Sequence, residues 1–415
     1  MHTLHITKKL FLFSMVTSQF GCSNGTQQVN RLPNPNPTAP TSSSLEETEK
    51  RLRAHVSYLS ETIGVRNIAY FEKLNEAAKY IEEAFREAGY SSTNLTIIPY
   101  TAKYTGEAFK NEYDTNKIIK GNPYKMTIIE AIVNSNPDVN TNNECVVIGA
   151  HYDTVDGSPG ADDNASGVAG VLEIAKHMLK YEGKIEKTLK FVLFPNEEEP
   201  YSLDSKAVDR KATAAKYGVD TMGSRVYAKM AREKGEHMEV VVLESIGYFS
   251  NEPGSQKFPS ICRISLAPLF KLLGYPDIGN EAVFVSKRGA SKEFADRCMS
   301  ASKNAKVAFP INYFSAPHWF PILGRLVERS DHASFWREGF DKAIMISDTA
   351  DSRNKNYHKN TDTIADGSVN FKEFTKLVEN LKEITEGLVS STTAEKPETE
   401  IESPTTSTST STIAQ

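Results

Sequence analysis

Five points along the chain carry side chains able to bind a metal ion or move a proton. His151-Tyr152-Asp153 directly follows the apolar run 145–150, CVVIGA. Asp162 and Asp163 come next, in Ala161-Asp162-Asp163-Asn164-Ala165-Ser166-Gly167. The run 189–195, LKFVLFP, leads into Asn196-Glu197-Glu198-Glu199, and the run 239–243, EVVVL, into Glu244-Ser245. Beyond 342–347, KAIMIS, stands Tyr357-His358. Imidazoles and carboxylates without a thiol form a donor set suited to a pair of zinc ions. Each piece alone has a blander reading. A histidine after a strand is an ordinary loop residue, Glu197 to Glu199 an ordinary solvated acidic loop, and Asp162 and Asp163 an ordinary helix cap. Glu244 is less ordinary, because an ionised carboxylate ending an apolar strand is seldom buried unless paired or bound to metal. The joint pattern carries the weight.

These residues share one position in the elements that hold them. They follow apolar runs that read as buried strands, and in open α/β sheets ligands gather at the carboxyl ends of strands. Several runs, 126–133 (MTIIEAIV) among them, lack period-2 alternation, as expected for strands covered on both faces. Helical patterns open at Ser44-Leu45-Glu46-Glu47 and run to about Glu61, with a serine to cap them, then from Phe71 to Ala88, where Gly89 stops the helix. Further helical stretches lie near 165–181, 221–234 and 370–388. Strands alternating with helices predict a three-layer α/β/α sandwich with a mixed, mostly parallel central sheet. The stretch 251–330 is less regular and reads as loops covering the site.

The ordered set HYD, GADDNASG, FPNEE, VLESIGY, SDHASF and YHKNTDT resembles the zinc-dependent metallopeptidases of family M28, aminopeptidases with a co-catalytic metal pair, over about residues 50–390. The resemblance implies two zinc ions, one on His151, Asp163 and Glu244, the other on Asp163, Glu198 and His358. It makes Glu197 the general base and Asp153 the carboxylate that orients a ligand histidine. Asp331 and His332 would form a wall of the site or pack behind the ligands, or cap a helix. Arg329 would meet substrate. Glu244 stands where many members have Asp, so its carboxylate reaches about 1.5 Å further from the backbone. A register slip of the acidic pair to 198/199 stays open, and residues 200–221 form an insertion beside the site. The implied activity is hydrolysis of N-terminal residues from peptides, although metal ligands do not fix which end of a peptide is read. The alternatives are a glutaminyl cyclase-like enzyme with a single zinc, and a catalytically silent binding domain on the same fold.

The chain ends carry no such chemistry. Residues 1–22 read as an export signal, with Lys8 and Lys9 before the short apolar run Leu10 to Val16 and Gly21-Cys22-Ser23 at the end. The cysteine resembles that of a lipoprotein signal, which predicts an exported protein anchored at the periplasmic or cell surface through a lipid on Cys22, or else secreted. Residues 23–44 are a Pro/Ser/Thr/Asn spacer and 391–415 a Thr/Ser-rich tail, leaving 45–390 as the metallopeptidase-like domain. A net charge of −5 argues against phosphate-driven nucleic-acid binding, and four scattered cysteines exclude a disulfide scaffold. Cys145, Cys262 and Cys298 read as free or buried, with a 262–298 disulfide as the alternative under export. Asn164-Ala165-Ser166 has the form of a glycosylation site but lies inside the metal motif, so it is read as a false match. Trp336 reads as core.

Overall fold

The computed structural model of the chain describes residues 41–103, 123–198, 221–257, 260–261, 264–265, 268, 277–287, 289–316 and 327–390. The export signal with Cys22, the spacer up to residue 40, Glu199, the insertion 200–220, Cys262 and the tail lie outside the described residues. Helix α1 (Ser42–Ser57) begins earlier than expected, because Thr41 and not a serine accepts the Ser44 N–H as its cap. It runs on into a wider turn at Tyr58–Ile63. Helix α2 (Phe71–Ala88) has the expected bounds, and Gly89 ends it at φ 109, where a side chain would be strained.

Strands β1 (Leu95–Lys103), β2 (Pro123–Val133), β3 (Glu144–His151), β4 (Thr188–Phe194), β5 (His237–Leu243), β8 (Ala282–Lys287), β9 (Ile311–Ala316) and β10 (Ala343–Ser347) form one eight-stranded sheet. Its order is β1-β2-β4-β3-β5-β10-β8-β9. The centre β4-β3-β5-β10 is parallel, while β2 against β4 and β8 against β10 are antiparallel. The pairs β6 (Ser260–Ile261) and β7 (Ile264–Ser265) form a separate short ribbon.

Two cores explain why the central strands read as continuous apolar runs. Val146, Ile148, Leu189, Phe191, Val241, Leu243, Ile344 and Ile346 face one core, and Cys145, Val147, Val192, Phe194, Val240, Val242 and Ala343 face the other. The first core is closed by α1, α2, α3 (Gly167–Met178), α5 (Ala290–Lys303) and α7 (Phe371–Val389), the second by α4 (Gly223–Glu233) and α6 (His332–Arg337). Each fully buried Phe, Leu or Val contributes about 1.5–3 kcal/mol relative to an exposed one. The three-layer sandwich with a mixed sheet is therefore as expected. No helix of the described residues is long and apolar enough to cross a membrane.

Within 251–330, read as less regular, the structure adds elements that the sequence pattern did not place: β8 and β9 run parallel as the far part of the sheet, with α5 packed on them. These elements are half-buried: β8 alternates buried and partly buried residues, and α5 buries only Phe294, Ala295, Cys298 and their neighbours. The edge strand β1 also escaped the sequence reading. Pro99 sits in its middle, which an edge strand tolerates because one side of its backbone faces no partner strand among the described residues. Cys145 and Cys298 are buried free thiols.

Candidate metal centre

The strand ends deliver the acidic and imidazole groups to one place. His151 closes β3, Glu197 and Glu198 follow β4, Glu244 follows β5, and His358 stands in the loop after β10. Asp163 sits in the turn 161–166 that precedes α3. Gly160 opens this turn at φ 64, and a Cβ there would run into the Asp163 carbonyl, so only glycine fits. Asn196, Ser245 and His358 also have positive φ, 61°, 47° and 58°. Such backbone strain clusters at functional sites.

Asp163 is the hinge of the geometry. Its Oδ1 lies 3.3 Å from His151 Nε2, and its Oδ2 lies 3.1 Å from His358 Nε2. His151 Nε2 is also 3.2 Å from Glu244 Oε2, and His358 Nε2 is 3.3 Å from Glu198 Oε1. Donor atoms of His151, Asp163 and Glu244 converge within 4.8 Å of one another, as do those of Asp163, Glu198 and His358. His151, Glu197 and Glu198 converge similarly. His151, Asp163, Glu197, Glu198 and Glu244 are buried, whereas the His358 side chain keeps a third of its surface exposed.

The donors fit a cation. His151 Nε2, both Asp163 carboxylate oxygens and Glu198 Oε1 are buried without a hydrogen-bond partner among the described residues. Buried polar atoms are rarely left so, and these converge on one another. The electrostatics agree. Burial, with neighbouring carboxylates, pushes Glu197 well above the usual carboxylate range and Glu198 up to about 7. Burial opposes a charge on His358, yet Glu198 and Asp163 carry it up to about 11. Burial likewise opposes the Asp163 charge, but the two imidazoles hold its carboxyl below the usual range. The cluster draws protons because it is short of positive charge, and a divalent cation would supply that charge instead.

Asp153 does more than face the imidazole. Its Oδ1 is 3.5 Å from His151 Nδ1, and its two oxygens accept the backbone N–H groups of Glu197 and Glu198, each at 3.1 Å. One carboxylate thus ties the β3 end to the β4 end. Glu244, despite its extra methylene, is held in the cluster by Ser330 Oγ, which donates to its Oε2 at 2.8 Å. Ser330 was passed over in the sequence, although it opens the SDHASF segment. Arg66 had no sequence signal. Fully buried, it donates to the carbonyls of Tyr152, Pro159 and Gly160 at 2.7, 2.6 and 3.1 Å, bracing the loops on either side of the site. Tyr357 stacks its ring on His358 at 3.9 Å.

The remaining candidates divide. Asp331 is fully buried among these groups, and burial pushes its carboxyl up to about 7. It makes no side-chain cap to α6. Arg329 is half-exposed and pairs with Asp351 at 2.9 Å. His332 turns away from the donors, with Nε2 2.6 Å from the Val327 carbonyl and its ring edge-on to Trp336. Trp336 is only partly buried, against the second core. The Asn164 side chain is buried and spent on Leu243, Ser245 and Gly167, which excludes a glycan there.

His332 also makes a stability prediction. Burial pushes its imidazole down to about 4, with the Val327 carbonyl opposing. The unfolded chain, titrating near 6.5, then takes up the proton first, so stability rises with pH across this window. Between pH 7 and pH 5 the folded state should lose about 2 kcal/mol through this group. Urea unfolding of wild type and His332→Gln at both pH values checks it: the variant should lose about 2 kcal/mol less than wild type between pH 7 and pH 5, and an equal change in both would remove His332 as a source.

The sequence profile of peptidase family M28 matches residues 128–259. "Uncharacterized protein YfbL" of Escherichia coli (strain K12) is 30% identical over 355 residues, covering 83% of this chain and 88% of that protein. Among solved structures, BSAP, a zinc aminopeptidase from Bacillus subtilis, superposes with a TM-score of 0.54 at 15% identity, over 84% of this chain and 96% of that one. A glutaminyl cyclase from Bacteroides thetaiotaomicron bound to N-acetylhistamine gives 0.52 at 14% identity, over 84% and 98%. Both structural likenesses are likenesses of fold.

Proposed function

The chain belongs to peptidase family M28, and from that premise we propose that it is an exported zinc-dependent exopeptidase that removes N-terminal residues from peptides. The observation that carries the proposal is the pair of donor sets sharing Asp163, each with one imidazole and a further carboxylate. In this reading His151, Asp163 and Glu244 would hold one zinc ion, and Asp163, Glu198 and His358 would hold the other. The bound pair would lower the pKa of a water molecule and polarise the scissile carbonyl. Glu197 takes the proton from the attacking water and passes it to the leaving amine. Asp153 fixes Glu197 and Glu198 through their backbone N–H groups and steadies the His151 ring. Asp163 belongs to both donor sets, and its charge would offset the repulsion of two dications. Arg329, half-exposed and paired with Asp351, would contact a substrate carboxylate or carbonyl.

The fold shared with a glutaminyl cyclase makes single-zinc cyclisation of N-terminal glutamine the competing reaction. A screen of aminoacyl-coumarin substrates, free and N-blocked, with zinc content measured on the same preparation, separates the two. Cleavage of free but not blocked substrates at two zinc per chain is expected. Full activity on N-terminal glutamine at one zinc per chain would favour the cyclase, and no turnover of either kind would favour a silent binding domain. Mass spectrometry of the protein from the membrane fraction should find an acylated Cys22, and an intact Met1 would defeat the export reading.

A further inference from the structure

The turn that carries Asp163 is tied to two other ligand-bearing segments. Asp162, fully buried, accepts the Gly247 N–H at 2.9 Å through Oδ1 and the Asn354 amide at 2.8 Å through Oδ2. Asn354 is itself buried, and its Oδ1 is committed to the Asn356 N–H at 2.9 Å. The Asp362 carboxylate accepts the N–H groups of Asp162 and Asp163, both at 3.1 Å, and its carbonyl accepts that of Ala161 at 3.0 Å. Asn164 joins the same turn to Leu243 and Ser245 on either side of Glu244. His358 therefore lies between two anchors, Asn354 and Asp362, that both hold the Asp163 turn.

That restraint matters more for His358 than for its partners. His151 is held within the sheet by β3, and Glu244 by Ser330. His358 stands in a loop, in the left-handed region, with its side chain a third exposed. A metal donor must be held to within about 0.5 Å, and loss of a group that orients a ligand typically costs about 10–100-fold in metal affinity. We propose that Asp162 is a positioning residue which, through Asn354, fixes the His358 segment against the Asp163 turn and so sets the affinity of the metal position made by Asp163, Glu198 and His358. The role rests on the two-metal reading above.

Asp162→Asn and Asn354→Ala test it from both sides, since Asp162 also meets the buried Asp348 carboxylate and Asn354→Ala leaves that contact in place. The new amide keeps an oxygen for the Gly247 N–H, but its NH2 faces the Asn354 NH2, donor against donor. Asn354 cannot turn over without losing the Asn356 N–H. The exchange variant Asp162→Asn with Asn354→Asp restores a donor facing an acceptor. The full chain, stripped of metal, is titrated with Zn²⁺ by calorimetry, with Co²⁺ absorbance as a second readout. Wild type is expected to take two equivalents. Asp162→Asn and Asn354→Ala should keep one at wild-type affinity and bind the other about 10–100-fold more weakly, and the exchange variant should recover it. If Asp162→Asn does not fold, Asn354→Ala and the exchange variant decide. Two equivalents of wild-type affinity in the single variants, or no recovery in a folded exchange variant, would overturn the positioning role. A wild-type protein taking one equivalent would overturn the two-metal reading itself.

Discussion

Glu197→Gln is expected to reduce peptide hydrolysis by about 10²–10⁴-fold, the usual worth of a positioned general base, while zinc content stays near the wild-type value. Glu197 is buried, and its backbone N–H is held by Asp153 Oδ1, so the side chain starts from a fixed root. Burial and the carboxylates of Glu244 and Glu198 raise its proton affinity, which suits a group that must take a proton from water. It belongs to neither of the donor sets that share Asp163. Glutamine has nearly the same shape and can keep a hydrogen bond, but it cannot accept that proton. Steady-state kinetics with metal analysis on the same sample checks the assignment. Turnover near wild type would sink the base role, and a parallel loss of zinc would make Glu197 a ligand. The alternative register, with Glu198 as base, predicts the opposite outcome: Glu198→Gln would then spare metal content. The geometry supports the first register, because Glu198 Oε1 lies beside His358 in the set completed by Asp163.

The second large effect is that of the metal. Chelation should bring activity to background, and Zn²⁺ should restore it. The same treatment should lower the melting temperature, because a ligand present at about 1,000 times its Kd stabilises the folded state by about 4 kcal/mol. The physical ground lies in the buried donors. His151 Nε2, the Asp163 oxygens and Glu198 Oε1 have no hydrogen-bond partner among the described residues, and burial beside the Asp163 carboxylate pushes Glu198 up to about 7 even with His358 opposing. Activity and melting temperature followed through chelation and refilling test both consequences. Activity that survives thorough metal removal would defeat the metallopeptidase reading.

Much of this was legible in the chain itself. Helix α2 could be bounded because its apolar spacing and Gly89 are local signals. The strands β3, β4, β5 and β10 could be placed because burial on both faces leaves unbroken apolar runs. The donor types at their ends were visible for the same reason, since each follows such a run. Strand β1, strand β8 and helix α5 were not, because an edge strand with a proline and half-buried elements give weak patterns.

By itself, then, the sequence determined which groups exist, in what order, and at which ends of which central strands. Tertiary structure alone decided which oxygen faces which imidazole. It also decided that Asp153 grips two backbone N–H groups, that Ser330 holds Glu244, that Arg66 braces the loops, and that Asp162, Asn354 and Asp362 bind the ligand segments together. Apolar periodicity is a property of neighbouring residues and is written along the chain. These hydrogen bonds join residues far apart in sequence, and they form only once the sheet has brought its strand ends to one edge.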